Sequence, residues 1–150
     1  MHTVKMSGMD HIDGETRYWG LSYPIRLTDG GKASSKRPRQ SNDCTVRAVA
    51  IAFGWKYDDA YDWLSAEGRE CGRGFHIDEF LAERGARKMS FPAIKGQRRM
   101  NPAAFCKQFP NGRYICRVAK HVFAVIDGVV HDSWEQRPDR CIYKAWDITI

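Results

Sequence analysis

Three short stretches of this chain carry residues that could do chemistry together. Asn42-Asp43-Cys44-Thr45-Val46-Arg47-Ala48-Val49-Ala50 sets a cysteine where a polar run becomes an apolar one. His121-Val122-Phe123-Ala124-Val125-Ile126 and Asp132-Ser133-Trp134 follow far downstream. A thiol is a weak nucleophile until it loses its proton. An imidazole can take that proton, and a carboxylate can hold the imidazole in the right tautomer. Cys44, His121 and Asp132 are therefore the candidate nucleophile, base and orienting acid of an acyl-transfer site. His76 is a weaker candidate base, because it lies near a helix start, where a cation is disfavoured.

These residues need elements to position them. Val46, Val49, Ala50 and Phe53 recur at helical spacing and predict a helix from about Cys44 to Phe53, stopped by Gly54. Cys44 then sits in the first turn, where unpaired N–H groups and the positive end of the helix dipole favour thiolate. The same N–H groups can bind an oxyanion. Further helices are expected from about Asp58 to Ala66 and Ile77 to Arg84, and a short one after Asn101-Pro102. Gly72-Arg73-Gly74-Phe75-His76 reads as a loop that could line a cleft.

The last third is strand-like: 114–118, 121–126, 129–134 and 142–146. Asp127-Gly128 is a strong two-residue hairpin signal. It sets Ile126 opposite Val129 and Val125 opposite Val130. Counting on, Phe123 faces Asp132 and His121 faces Trp134. His121 and Asp132 then share one sheet face as diagonal neighbours, while His131 falls on the other. Helices first and an antiparallel sheet last predict an α+β domain. Residues 1–40, rich in glycine, read as an irregular N-terminal arm and 41–150 as the functional domain. Within the arm, the aromatic stretch from Tyr18 to Leu27 could pack on the domain.

The 150 residues suit one domain with a real core. Hydrophobic residues at 43% and charged residues at 28% are ordinary for a soluble fold. No run approaches the roughly 18 apolar residues of a membrane span, and the first ten residues do not read as a secretory signal. A cytoplasmic protein with no membrane partner is expected. The five cysteines, Cys44, Cys71, Cys106, Cys116 and Cys141, are odd in number and widely spaced. That favours reduced thiols over a disulfide scaffold, with Cys106 and Cys116 as core fillers. No Cys-x-x-Cys pair exists, so neither a metal nor a cofactor is expected. The net charge of +6 permits a nucleic-acid partner without requiring one, and none is expected. Its clusters at Lys36, Arg37, Arg39 and at Lys95, Arg98, Arg99 read as solvated loop charge.

The order of Cys44, His121 and Asp132, with the motif Asp132-Ser133-Trp134, resembles the papain-like cysteine peptidases. In that superfamily a Cys at a helix N-terminus comes first, then a His that begins a strand. An Asn or Asp follows on the next strand, often in Asn-Ser-Trp. The Asp form, and Asp43 before Cys44, are similar to the bacteriocin-processing, double-glycine branch. The chain is also similar to compact papain-like proteins of phages, which would place it in a host cytoplasm. The resemblance covers about residues 40–147. It implies a papain-like fold, N-terminal helices packed on an antiparallel sheet. It further implies a thiol hydrolase that cleaves a peptide or isopeptide bond in a protein or peptide substrate, through a thioester. An amide-transferring acyltransferase, or a non-enzymatic module gripping a host protein or nucleic acid, would use the same scaffold. The family's oxyanion-binding Gln falls where Pro38 stands here, so Gln40 or Asn42 is expected to substitute.

Overall fold

The computed structural model describes residues 22–149. Residues 1–21, including Tyr18 and Trp19 of the arm, lie outside the described residues. Along the chain come β1 (Ile25–Leu27), a 3-10 turn (Lys32–Ser34), α1 (Cys44–Phe53), α2 (Tyr57–Ala66) and α3 (Asp78–Glu83). Then follow β2 (Arg87–Ser90), α4 (Pro102–Gln108), β3 (Arg113–Val118), β4 (His121–Ile126), β5 (Val129–Asp132) and β6 (Lys144–Asp147). The fold is α+β, with four α-helices and a six-stranded sheet in the order β1-β5-β4-β3-β6-β2 among the described residues.

The helix boundaries follow local chemistry. Gly54 ends α1 in the left-handed region at φ 73°, and its N–H reaches back to the carbonyls of Ala50 and Ile51. Asn101 caps α4, its side chain accepting from the Ala104 N–H at 2.8 Å with Pro102 at the first helical position. The β4–β5 hairpin turns on Asp127 at φ 49° and Gly128 at φ 76°. Two successive positive φ values make a type I′ turn, which Asp-Gly accommodates with little strain. Its register is Ile126 to Val129, Val125 to Val130 and Ala124 to His131. β5 ends at Asp132, so the expected pairs of Phe123 with Asp132 and His121 with Trp134 lie beyond the ladder.

The sheet is mixed rather than antiparallel, which corrects the expectation. β1 runs parallel to β5, with Ile25 beside Val130 and Leu27 beside Asp132. This strand comes from the stretch read as an irregular arm; it is only three residues long and too short to show a period. Tyr23 and Ile25 are buried in the core. Tyr23 OH donates to the Gln136 carbonyl at 2.7 Å and accepts from the Gln136 N–H at 3.0 Å. The arm thereby ties down the loop that follows Asp132. β2 was not expected either; it pairs with β6 and is mostly exposed, so no apolar alternation announces it.

The sheet separates two cores. On one side α1, α2 and α3 pack on Ile115, Val122, Ala124, Trp146 and Ile148. On the other, Phe105 and Cys106 of α4 pack with Cys116, Phe123, Val125 and Val130. Cys106 and Cys116 are buried fillers as expected, and none of the five cysteines is in a disulfide. No helix among the described residues is long and apolar enough to cross a membrane.

Candidate thiol–imidazole–carboxylate site

Cys44 stands at the first position of α1, and the loop before it is fastened from several directions. Asp43 is buried, yet its side chain does not cap the helix. Instead Asp43 Oδ1 accepts from Arg47 Nη1, and Oδ2 accepts from Tyr57 OH at 2.7 Å with Lys32 Nζ at 3.4 Å. Arg69, buried after α2, donates to the carbonyls of Ser41 and Asn42 at 3.1 and 3.3 Å. Asn42 takes φ 49° at the bend, and its Nδ2 donates to the Gly72 carbonyl at 2.8 Å. With no side chain capping α1, its first N–H groups are left for another acceptor.

His121 is the first residue of β4, and its Nε2 lies 2.7 Å from Asp132 Oδ2. Both side chains are almost fully buried, at 8% and 3% exposure. Asp132 Oδ1 accepts from the Ser133 N–H at 2.8 Å, which fixes the carboxylate. Gln136 Nε2 stands 3.5 Å from Oδ2 on its other side. The Trp134 ring tilts over His121 with centroids 5.0 Å apart, and Phe123 stacks beneath at 6.1 Å. With Nε2 committed to Asp132, Nδ1 is the nitrogen left for Cys44.

Electrostatics favour a thiolate–imidazolium pair. Burial pushes the Cys44 thiol up. Its hydrogen bond with His121, the Val122 backbone N–H and the charges of His121 and Arg47 outweigh that and leave it below its usual value. Burial pushes His121 down, but the bonds to Asp132 and Cys44 lift it to about 9. The two groups titrate as a coupled pair. Because the folded value of His121 is raised, its stabilising contribution is complete below about 6.5 and lost as pH rises through about 9.

Asp132→Asn tests the carboxylate's part. It keeps a hydrogen-bond acceptor but removes the charge. The alkaline limb of Cys44 alkylation, near pH 9 in the wild type, is expected to move acidward by roughly one to three units. An unchanged limb in a stopped-flow pH series would show that Asp132 does not hold the imidazolium.

The meeting of the three depends on the end of the sheet. His121 alternates with Phe123 and Val125, and Asp132 with Val130, so both belong to the face away from α1. Cys44 leads a helix packed on the opposite face. Only because His121 begins its strand can the ring meet a thiol coming from the other side.

A cleft of about 370 Å³ opens over Cys44 and His121. Gly74, Phe75 and His76 form part of its wall, so the Gly-rich loop does line a cleft. Arg117, Lys120, Thr45 and Asn42 also line it. His76 is exposed, and Asp78, two residues on, is bound by Lys144 at 2.9 Å and Lys88 at 3.4 Å. Of the two expected oxyanion residues, Asn42 lines the cleft with its amide engaged by Gly72. Gln40 does not line it; its Oε1 accepts from Arg69 Nη1 at 2.8 Å. Thr45 Oγ1, buried beside Cys44, has no hydrogen-bond partner among the described residues. No cluster of His, Cys, Asp and Glu that could hold a metal occurs among the described residues.

Sequence reasoning missed Asp43 as an anchor, Arg69 as a clamp and Thr45 as a cleft hydroxyl. Arg69 carries no local signal, since its partners lie 27 to 29 residues earlier. Asp43 could have been suspected from Arg47 one helical turn on, a spacing that pairs opposite charges. Comparison of the chain with protein-family models, curated proteins and solved structures found no match in any of the three.

Proposed function

We propose that this chain is a thiol hydrolase of the papain-like type, cleaving a peptide or isopeptide bond through Cys44, His121 and Asp132. The observation that carries the reading is the buried 2.7 Å bond between His121 and Asp132 beside a cysteine whose thiol is held below its usual value. Cys44 Sγ attacks the acyl carbonyl and forms a tetrahedral oxyanion. The uncapped N–H groups of α1 are suited to receive that oxygen, with Asn42 or the Thr45 hydroxyl as side-chain donors. Gln40 would have to leave Arg69 to contribute. The imidazolium of His121 gives its proton to the departing amine, leaving a thioester. Water then attacks, His121 takes its proton, and the acid leaves Cys44 free.

All five cysteines are free thiols, in keeping with a reducing compartment such as cytoplasm. The binding-module alternative draws less support. Arg37 of the first basic cluster is already paired with Asp58 at 2.8 Å and Asp62 at 3.1 Å, which leaves less free charge for nucleic acid.

The reading is tested by adding wild type and Cys44→Ala to a cell lysate and mapping new protein termini by mass spectrometry. Termini made by the wild type and not by the variant are expected. Identical maps would leave the chain without a peptidase role.

A further inference from the structure

Cations line the cleft over Cys44 with no carboxylate beside them among the described residues. Arg117, near the end of β3, and Lys120, in the turn before β4, stand on one side, and His76 also borders the space. Asp43 and Asp78, one and two residues from the lining, and Asp132, bonded to His121, are already taken. Asp43 is held by Arg47 and Lys32, Asp78 by Lys144 and Lys88, and Asp132 by His121.

Arg117 is unusual among the partly buried arginines. Arg37 and Arg47 bind carboxylates, and Arg113 binds the carbonyls of Ala52 and Ile51. Through its guanidinium Arg117 makes no hydrogen bond or ion pair among the described residues, and its Nε is buried without a partner. Across the sheet it pairs with Val122, next to His121, and with Lys144. A guanidinium whose Nε is buried and unpaired costs free energy that a bound carboxylate would offset, by a two-pronged bond the fork geometry suits. Lys120 adds a second charge from a position fixed at φ 59°. A volume of about 370 Å³ accommodates an acidic side chain or a chain-terminal carboxylate.

We propose that the acyl donor carries a carboxylate close to the carbonyl that Cys44 attacks, and that Arg117 and Lys120 bind this carboxylate. The substrate class is thus an acidic peptide, cut beside an Asp or Glu residue or near a free C-terminus. The inference rests on Cys44 being the nucleophile, and the test separates the two.

Iodoacetate and iodoacetamide differ in one carboxylate, and both alkylate a thiolate with loss of iodide. Their rates are read at Cys44 and at exposed Cys71 in the same molecule by peptide mass spectrometry at pH 6. Measurements cover wild type, Lys120→Gln and Arg117→Gln/Lys120→Gln. In the wild type the iodoacetate-to-iodoacetamide ratio is expected to be higher at Cys44 than at Cys71. In the double variant the Cys44 ratio is expected to fall about tenfold, the lower range for charge-steered encounter. Iodoacetamide, lacking the carboxylate, reports whether Cys44 itself stays reactive. His121 attracts iodoacetate in every variant, so only the change on removing Arg117 and Lys120 counts. Lys120 is exposed in a turn, so Lys120→Gln keeps the fold and should show part of the drop. A ratio unchanged in both variants, with Cys44 still fast, overturns the carboxylate site and leaves the nucleophile standing. If Cys44 is no faster than Cys71 toward iodoacetamide in the wild type, the nucleophile reading fails and this inference falls with it.

Discussion

Replacing His121 with alanine is expected to slow iodoacetamide alkylation of Cys44 at pH 6 by roughly 100-fold. The thiolate fraction sets this rate. Without the imidazole, burial acts on the thiol with only the Val122 N–H and Arg47 to oppose it. At the ordinary value of 9.0, about one thiol in a thousand is ionised at pH 6. With His121⁺ in place the thiolate is far more abundant, although a thiolate of lower basicity attacks somewhat less readily. The two effects partly oppose each other, and the fraction wins. Cys71 is the internal reference, and its rate should not change. Similar Cys44 rates in wild type and His121→Ala would mean that the imidazole does not activate the thiol. Chain unfolding would expose Cys106 and Cys116, now buried, so their alkylation in the same spectrum reports whether the variant is folded.

The second large effect is on stability. Asp43→Ala is expected to cost about 3–5 kcal/mol, because it strands Arg47 and leaves Tyr57 OH without its acceptor in a nearly dry site. In a chain of this size that lowers the thermal midpoint by roughly 10 °C. Lys32 at 3.4 Å is more exposed and contributes less. Asp43→Asn keeps a bond to Tyr57 but not the charge, and should fall between. Calorimetry giving the same midpoint for Asp43→Ala and wild type would refute the anchoring role. The same variant should also blunt Cys44 alkylation, since the loop that presents the thiol begins at Asp43. That coupling ties the fold to the site: a buried ion pair is a weak source of net stability, but it sets the direction in which Cys44 leaves the loop.

Much of the local architecture was legible because short-range chemistry decides it. The stripe of Val46, Val49 and Ala50 and the stop at Gly54 mark α1 to the residue. Asn101-Pro102 marks α4, and Asp127-Gly128 marks the hairpin and its register. Those signals sit within a few residues of the structure they cause. β1 and β2 escaped notice for the converse reason. Each is an edge strand of three or four residues whose partner lies far along the chain, so its pairing is a tertiary event.

The candidate site divides in the same way. Sequence alone determined the residue types, the placing of Cys44 at a helix start and the sharing of one sheet face by His121 and Asp132. Each follows from helical or strand periodicity and one turn. Only the tertiary structure decided that Cys44, from a helix on the opposite face, meets His121 around the end of β4. It also decided that Gln40 is held by Arg69 rather than lining the cleft, and that the Arg117 guanidinium has no anion among the described residues. Periodicity orders neighbours within one element; which partner a long side chain finds is settled by how separate elements pack.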